Sequence, residues 1–175
     1  AFFMTWEQNA RLFAYGMADG PLPEHFEPHE APVKNLLNGA GGNPCIRFAD
    51  DPSVKRGSVK DFPFVVTTYS VVEHWQTGTQ TRNIPWLNEL IPCNFIELSE
   101  ELAAQKGIKT GDMVHVWNNR GSVKVAAMVT KRMKPMEIDG KMTHVVGMPH
   151  HFSWATNMAR GDNVNDLTPN VGDPN

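Results

Sequence analysis

The sequence predicts a mainly β fold with peripheral helices, a small β-barrel that follows an irregular N-terminal arm. Short apolar segments alternate with tight turns over residues 62–175, and the helical patterns between them are brief. The chain has 175 residues, of which 41% are hydrophobic and 20% charged, as in an ordinary globular protein. One domain with a core of useful size is therefore expected.

Residues 1–61 are predicted to form an extended arm, with one short helix at Trp6–Tyr15. Four prolines exclude a continuous helix or a central strand after it: Pro21, Pro23, Pro28 and Pro32. The run Gly39–Pro44 is a further break. The chain begins Ala1-Phe2-Phe3-Met4, neither an initiator nor a signal sequence, and we expect this start to be a cut from a longer polypeptide.

Residues 62–175 are predicted to form the barrel itself. The predicted strands are Phe64–Thr68, Asn94–Leu98, Met113–Trp117, Ser122–Thr130 and Thr143–Val146, the first of them buried. Asn118–Gly121 predicts a hairpin between the third strand and the fourth, and Asp139-Gly140 marks a second tight turn.

Two short helices are predicted between these strands. Ile84–Leu90 has Pro85 near its start, where proline is tolerated. Glu100–Lys106 follows Ser99, a good N-cap, carries acidic residues in its first turn, and ends before Gly107.

Charge and cysteine content exclude several classes of protein. The formal net charge is −3, and the densest basic cluster, Lys131–Lys134, is short, so no nucleic-acid partner is expected. No apolar run approaches the ~20 residues of a membrane span, so no membrane contact is expected. Cys45 and Cys93 lie far apart and outside any CxxC pattern, which predicts neither a disulfide scaffold nor a cysteine-ligated metal.

The most informative segment runs from Thr67 to Trp86. It is dense in hydroxyls and amides and also contains three aromatic residues. Such a segment cannot be buried without hydrogen-bond partners, because each unpaired polar group would cost about 1–3 kcal/mol. The combination favours a surface that closes over a flat, polar, phosphate-bearing ligand.

Arg82 lies within this segment, and its planar guanidinium can bind two phosphate oxygens at once. Gly78 would let backbone N–H groups approach a phosphate closely. Neutral hydroxyl donors could come from Thr77, Thr79 and Thr81. Alternatively, Arg82 pairs with a carboxylate and the threonines cap the following helix. The residue types alone favour neither interpretation.

Histidines and asparagines offer further candidates. His74 could donate a hydrogen bond to a ligand heteroatom, although a lone histidine is more often structural. Pro28 separates His25 from His29, and His150-His151 are adjacent, so structural roles are favoured over metal binding at both places. In the polar tail, two amides either hydrogen-bond their own turns or face a heterocycle: Asn163 and Asn165.

Seven segments, taken in order, carry a family resemblance: Asn9–Phe13, Gly16–His25, Thr67–Tyr69, Glu73–Trp75, Thr81–Asn83, Gly107–Asp112 and Gly161–Asn175. Together they resemble the C-terminal part of the large subunit of formate dehydrogenases in the molybdopterin oxidoreductase family. The likeness covers nearly the whole chain. The Gly107–Asp112 turn occurs across the wider superfamily, whereas the ordered set is much more specific.

This resemblance implies a fold, a cofactor and a set of contacts. The family's domain is a double-psi β-barrel of the aspartate-decarboxylase type, which closes over two molybdopterin guanine dinucleotides that hold molybdenum or tungsten. The chain would thus help to bind bis-molybdopterin guanine dinucleotide for the oxidation of formate to CO2. The implied cofactor-binding residues are His74, Thr77, Gly78, Thr79, Thr81, Arg82, His150, His151, Asp162, Asn163 and Asn165.

The resemblance also implies parts that lie outside this chain. In the family, the cysteine or selenocysteine that ligates the metal lies upstream, so we assign no catalytic residue and no metal ligand here and expect no activity from the chain alone. An iron–sulfur cluster belongs to the parent chain, and relatives carry a further strand after Gly172–Asn175. The implied partners are the upstream domains and an iron–sulfur electron-transfer subunit, in the periplasm or alternatively the cytoplasm.

Three other functions are kept as alternatives. The same domain could serve a nitrate, sulfoxide or polysulfide reductase. The Gly-Ser pairs at Gly57-Ser58 and Gly121-Ser122 allow a self-cleaving pyruvoyl decarboxylase-like barrel, although a hairpin turn already explains Gly121. A cofactor-free interaction barrel would leave the threonine-rich segment unexplained.

Overall fold

The structure is a computed structural model that describes residues 60, 62–138, 140–153 and 161–168. The predicted arm and its helix at Trp6–Tyr15 lie outside these residues, and the predicted boundary between residues 61 and 62 stays a prediction. No helix in the described ranges is both long and apolar enough to cross a membrane.

Six strands, two α-helices and two short 3₁₀ helices make up the described part of the chain. The strands are β1 (Phe64–Tyr69), β2 (Phe95–Ser99), β3 (Met113–Trp117), β4 (Ser122–Thr130), β5 (Met136–Ile138) and β6 (Lys141–Pro149). The helices are α1 (Pro85–Leu90), α2 (Glu100–Lys106) and the 3₁₀ helices Thr81–Asn83 and Val164–Leu167. The protein is therefore mainly β with few helices, as predicted.

The strands form one mixed sheet in the order β1-β6-β2-β4-β3, with β5 paired to β6, and the sheet is curled like half a barrel. Two pairs are parallel: β1 with β6, and β2 with β4. The other pairs are antiparallel, including the predicted hairpin of β3 and β4, in which Asn118 N donates to Gly121 O at 3.0 Å.

The hydrophobic core lies between one face of this sheet and α2. Alternate residues of β4, Val123, Val125 and Ala127, point inwards and are almost completely buried. The rest of the buried cluster comprises Ile96, Leu98, Leu102, Ala103, Val146, Met148, Val164 and Leu167. The second 3₁₀ helix thus packs the tail loop onto the sheet.

Helix α2 begins and ends as its sequence predicts. Ser99 Oγ accepts a hydrogen bond from Leu102 N at 3.1 Å, which caps the first turn. Gly107 adopts a left-handed φ of 66° directly after Lys106 and ends the helix.

The prediction that the first strand is buried was wrong. Phe64 and Val66 are 38% and 41% exposed, because among the described strands β1 lies at one end of the sheet and pairs with β6 alone. The last predicted strand is longer than expected, since β6 extends to Pro149 in register with the whole of β1. Strand β5, a short partner of β6, was not predicted.

An ion pair between a buried carboxylate and an exposed arginine lies where β1, β6 and β2 meet. The carboxylate of Glu97 is almost fully buried, and Arg132 Nη2 lies 2.5 Å from each of its oxygens. The Arg132 guanidinium also stacks 5.5 Å above the Tyr69 ring. Burial, together with the neighbouring Glu97 carboxylate, raises the pKa of Tyr69, so this phenol stays neutral throughout the physiological range.

Candidate functional site

The chain reverses direction immediately after β1, in the segment 70–80. Gln76 and Gly78 both adopt left-handed backbone conformations, with φ values of 51° and 73°. A Cβ atom on Gly78 would overlap the carbonyl oxygen of His151 and approach Arg82 Nε to 2.9 Å. Only glycine therefore fits this position, for both its backbone angle and its surroundings.

Arg82, in the first 3₁₀ helix, is completely buried behind this turn. Its guanidinium donates to Ser153 O and Ser153 Oγ, both at 2.9 Å, and to Thr77 O at 3.4 Å. Burial lowers the pKa of Arg82 from its ordinary value, yet an arginine remains protonated in proteins. The side chain therefore places a positive charge directly beneath residues 77–79.

The predicted alternative in which the threonines cap the following helix was wrong. Neither the Thr81–Asn83 helix nor α1 has a side-chain cap at its N-terminus. Gln80 and Ile84 occupy the two cap positions, and neither side chain accepts a hydrogen bond there. The Thr81 hydroxyl instead accepts from Trp75 N at 3.1 Å.

His74 is buried and both of its ring nitrogens have partners within the protein. Its Nε2 lies 3.1 Å from Ile91 O, so this nitrogen carries the proton and donates. Its Nδ1 lies 3.2 Å from Thr81 Oγ1. The imidazole thus ties the loop to the end of α1.

His151 is also fully buried, in the opposite tautomer. Val71 N donates to its Nε2 at 2.8 Å, so the proton is on Nδ1, which donates to Gln76 O in a short hydrogen bond. Burial lowers the pKa of His151, and the neighbouring His150, His74 and Arg82 lower it further against the opposing effect of the Gln76 bond. His150 stacks on it with ring centroids 4.4 Å apart.

The exposed side of the turn presents hydrogen-bond donors. The carbonyls of residues 77–80 all accept bonds within the protein: from the Arg82 side chain and backbone N, and from the Asn83 side chain and backbone N. Among the hydrogen bonds of the described residues, the N–H groups of Thr77, Thr79 and Gln80 have no acceptor. The carbonyls of this stretch are therefore all engaged within the protein, whereas three of its four N–H groups keep their hydrogen-bonding capacity.

The hydroxyls of Thr77 and Thr79 add to this surface, because both side chains are exposed and their oxygens lie 2.9 Å apart. We call residues Thr77–Gln80 the donor loop. Outward N–H groups with neighbouring hydroxyls form a concave anion-binding arrangement of the kind that phosphates occupy.

The tail residues form a second group, in the loop 161–168. Asp162 Oδ2 accepts from Lys124 N at 2.6 Å, and Asp162 O accepts from the Asn94 amide at 2.8 Å, so Asp162 fixes the tail to the start of β2. Asn163 Oδ1 accepts from Asn165 N at 3.0 Å and caps the 3₁₀ helix. The side chain of Asn165 is exposed.

Phe152 connects the two groups. Its ring meets His74 edge-on, with centroids 5.4 Å apart, and its Cβ lies 3.2 Å from the position that a Cβ on Gly161 would take. The structure thus brings eight of the predicted residues around the turn and places the other three in the tail loop. The eight are His74, Thr77, Gly78, Thr79, Thr81, Arg82, His150 and His151. Asp162, Asn163 and Asn165 lie beyond Phe152.

Three residues of this region were not predicted from the sequence. Ser153 binds Arg82, Gln76 supplies both the left-handed turn and the carbonyl for His151, and Asn94 holds Asp162. Nothing in their local sequence distinguishes them, because each acts on a residue far away along the chain. No cluster of three or more His, Cys, Asp or Glu side chains suited to a metal ion occurs in the described ranges.

Comparison with known families places this geometry in context. Residues 64–175 match the family model described as "Molydopterin dinucleotide binding domain". The matched range begins with β1 and includes the donor loop, Arg82 and the tail loop.

Similar proteins are subunits of larger enzymes. Formate dehydrogenase subunit alpha of Megalodesulfovibrio gigas is 46% identical over 100% of this chain and 17% of the relative. Formate dehydrogenase 2 subunit alpha (cytochrome c-553) of Nitratidesulfovibrio vulgaris is 41% identical over 99% of this chain and 17% of the relative. Periplasmic nitrate reductase of Desulfovibrio desulfuricans is 37% identical over 71% of this chain and 14% of the relative. The chain therefore spans about one sixth of the length of these relatives, 17% or less.

Proposed function

Since the chain belongs to the molydopterin dinucleotide binding domain family, we propose that it binds part of a bis-molybdopterin guanine dinucleotide within the large subunit of a formate dehydrogenase. The observation that carries this proposal is the 46% identity to a formate dehydrogenase alpha subunit over 100% of the chain. The metal would be molybdenum or tungsten, and the whole enzyme would oxidise formate to CO2. The chain would supply binding and orientation, and would not act alone.

The proposed fold is the double-psi β-barrel that the resemblance to formate dehydrogenase large subunits implies. Two parallel strand pairs within one small mixed sheet, β1 with β6 and β2 with β4, support it. Parallel pairs need crossover connections, and here these connections carry the turn with Arg82 and helix α2.

The donor loop fits the anionic part of such a cofactor. Three N–H groups without a protein acceptor, and the one hydroxyl proton that the Thr77–Thr79 hydrogen bond leaves over, can donate to the oxygens of a pyrophosphate or the polar edge of a pterin. The buried Arg82 charge favours an anion on the same side. Gly78 makes the loop conformation possible, because a side chain there would run into the His151 carbonyl and Arg82.

The predicted contact residues divide into two roles in this proposal. Thr77 and Thr79, with the N–H group of Gln80, contact the cofactor directly, while Gly78 gives the loop its shape. Arg82, His74 and His151 are buried and bonded within the protein, so they position the loop. The further proposed contacts are Thr81, His150, Asp162, Asn163 and Asn165. When bound, the metal–pterin cofactor supplies the redox chemistry.

The parent enzyme would extend beyond this chain. Upstream domains complete the cofactor pocket, and the parent chain carries an iron–sulfur cluster that passes electrons to an iron–sulfur subunit. A periplasmic location is part of the same proposal.

A second candidate is the same domain in a nitrate reductase. The 37% identity to a periplasmic nitrate reductase over 71% of the chain favours it over other substrates. Assays of the complete enzyme, with formate and an oxidised dye or with nitrate and a reduced dye, discriminate between the two. Turnover of nitrate alone would replace the formate assignment.

The test of cofactor binding uses the complete enzyme. Arg82→Ala and the double variant Thr77→Val/Thr79→Val are compared with Thr68→Val, which alters an exposed threonine on β1. We expect several-fold lower metal and pterin content per protein in the first two, and normal content in the third. Full loading and activity in both test variants would contradict the proposed site.

A further inference from the structure

Helix α1 follows the donor loop and has none of its six residues buried. Trp86 and Leu90 are 67% and 63% exposed, and their i, i+4 spacing puts them on one face of the helix. Trp75, at the other end of the loop, is 63% exposed. We call Trp75, Trp86 and Leu90 the α1 face.

The α1 face is held in place from beneath. His74, next to Trp75, bonds through its ring to Ile91 O, next to Leu90, at 3.1 Å. This hydrogen bond joins the two ends of the α1 face. The Asn88 amide donates to Arg82 O at 2.6 Å and fixes the middle of the helix. The three apolar side chains are therefore presented by an ordered frame with polar bonds underneath.

Within the described part of the chain, this helix buries none of its residues, so it has little of the packing that ordinarily stabilises a helix. Isolated helices of this length are unstable in water, and in proteins most helix stability comes from packing of an apolar face. Each tryptophan alone can bury about 150–250 Å². Large apolar side chains left exposed at both ends of one loop are a feature of interaction surfaces.

We propose that the α1 face packs against another domain of the same polypeptide, on a surface that is apolar at its centre and positively charged at its rim. Glu89, beside Leu90, is exposed, and positive charge on the partner surface would complement its carboxylate. The occupant follows from length, since the curated relatives extend far beyond the 17% that this chain spans. The proposal rests on the proposed function, because a cofactor shared with upstream domains brings those domains next to the donor loop.

The experiment places a photoactivatable benzoylphenylalanine in place of Trp86 in the complete enzyme. The control places it instead of Gln105, an exposed polar residue of α2. After irradiation, peptide mass spectrometry identifies the cross-linked segment, and denaturing gels show whether the product retains the mass of one subunit. Pterin content is measured on the same preparations.

The expected result is a cross-link from position 86, absent at position 105, to a segment of the same polypeptide outside residues 1–175, without a shift to dimer mass. A cross-link to a separate subunit, to a second copy or to residues 1–59 would overturn the proposal, as would no cross-link. Pterin content distinguishes a failure of the docking proposal from a failure of the proposed function. An enzyme that holds pterin but gives no such cross-link refutes only the α1 docking, whereas the expected cross-link in an enzyme without pterin refutes only the proposed function.

Discussion

Substitution of Gly78 by alanine isolates what the turn geometry requires. A matched control exists in the same chain, because Gly140 has the same φ of 73° but no atom within 4 Å of the position of a Cβ. Both substitutions place an L side chain in the left-handed region, which costs about 1–2 kcal/mol. Only Gly78→Ala also forces the new methyl group against a backbone carbonyl oxygen and against Arg82.

The additional cost at Gly78 follows from what surrounds it. The His151 carbonyl belongs to the backbone and cannot rotate away, and Arg82 is held by Ser153 at 2.9 Å. Overpacking of this kind typically costs about 1–3 kcal/mol. We therefore expect Gly78→Ala to lose about 2–5 kcal/mol of unfolding free energy and Gly140→Ala only about 1–2 kcal/mol.

The measurement is urea unfolding of the purified chain, followed by far-UV circular dichroism, for wild type and both variants. In the complete enzyme, Gly78→Ala should also lower pterin content, while Gly140→Ala should leave it unchanged. Equal losses of unfolding free energy in the two variants would show that close packing around Gly78 does not exist, and the account of the donor loop would fail with it.

Two further predictions concern ionisable side chains, one pair on the sheet and one histidine beside the turn. Arg132→Met should lower the unfolding free energy by about 1–3 kcal/mol, since it leaves the buried Glu97 carboxylate without its cation. Adding Glu97→Gln should recover part of this loss. Purely additive losses in a double-mutant cycle would contradict the pairing. Because burial lowers the pKa of His151 below its ordinary 6.5, the unfolded chain binds the extra proton and stability should fall as pH decreases below about 6.5. Melting temperatures at about pH 7.5 and pH 5 should show this fall, and His151→Gln should weaken it; an unchanged pH dependence in that variant would refute the assignment.

Local signals predicted most of the secondary structure, because they act over a few residues. The Ser99 cap and the Gly107 stop fix α2 from within its own sequence, and Asn118–Gly121 fixes the β3–β4 hairpin. The error at β1 arose because an apolar run does not reveal whether a strand lies inside a sheet or at its end. That depends on which strands pair. The partner of β1 is β6, which begins at Lys141, 77 residues after Phe64, and pairs Phe64 with His144.

Residue types identified the candidate site more completely than they identified its roles. The threonines, Gly78 and Arg82 were predicted from one polar segment, and the structure brings them to one turn. The contact of Ser153 with Arg82 could not be predicted from local patterns, since 71 residues separate the two. The distinction between exposed donors and buried positioning residues therefore required the fold.

The residue types favoured neither phosphate binding nor a structural role for Arg82, and its buried position explains why. Its guanidinium draws the Thr77 carbonyl inwards, while its backbone N takes the Gly78 carbonyl at 2.9 Å. Turning carbonyls inwards turns the N–H ends of the same stretch of backbone towards solvent, so one buried cation both shapes the loop and adds positive potential beneath it. Lysine could not replace it, because a single ammonium on a flexible stem lacks the planar fork that reaches both Ser153 and Thr77. The positive charge and the loop geometry are thus a single property of this one side chain, and an anion bound by the loop would depend on both together.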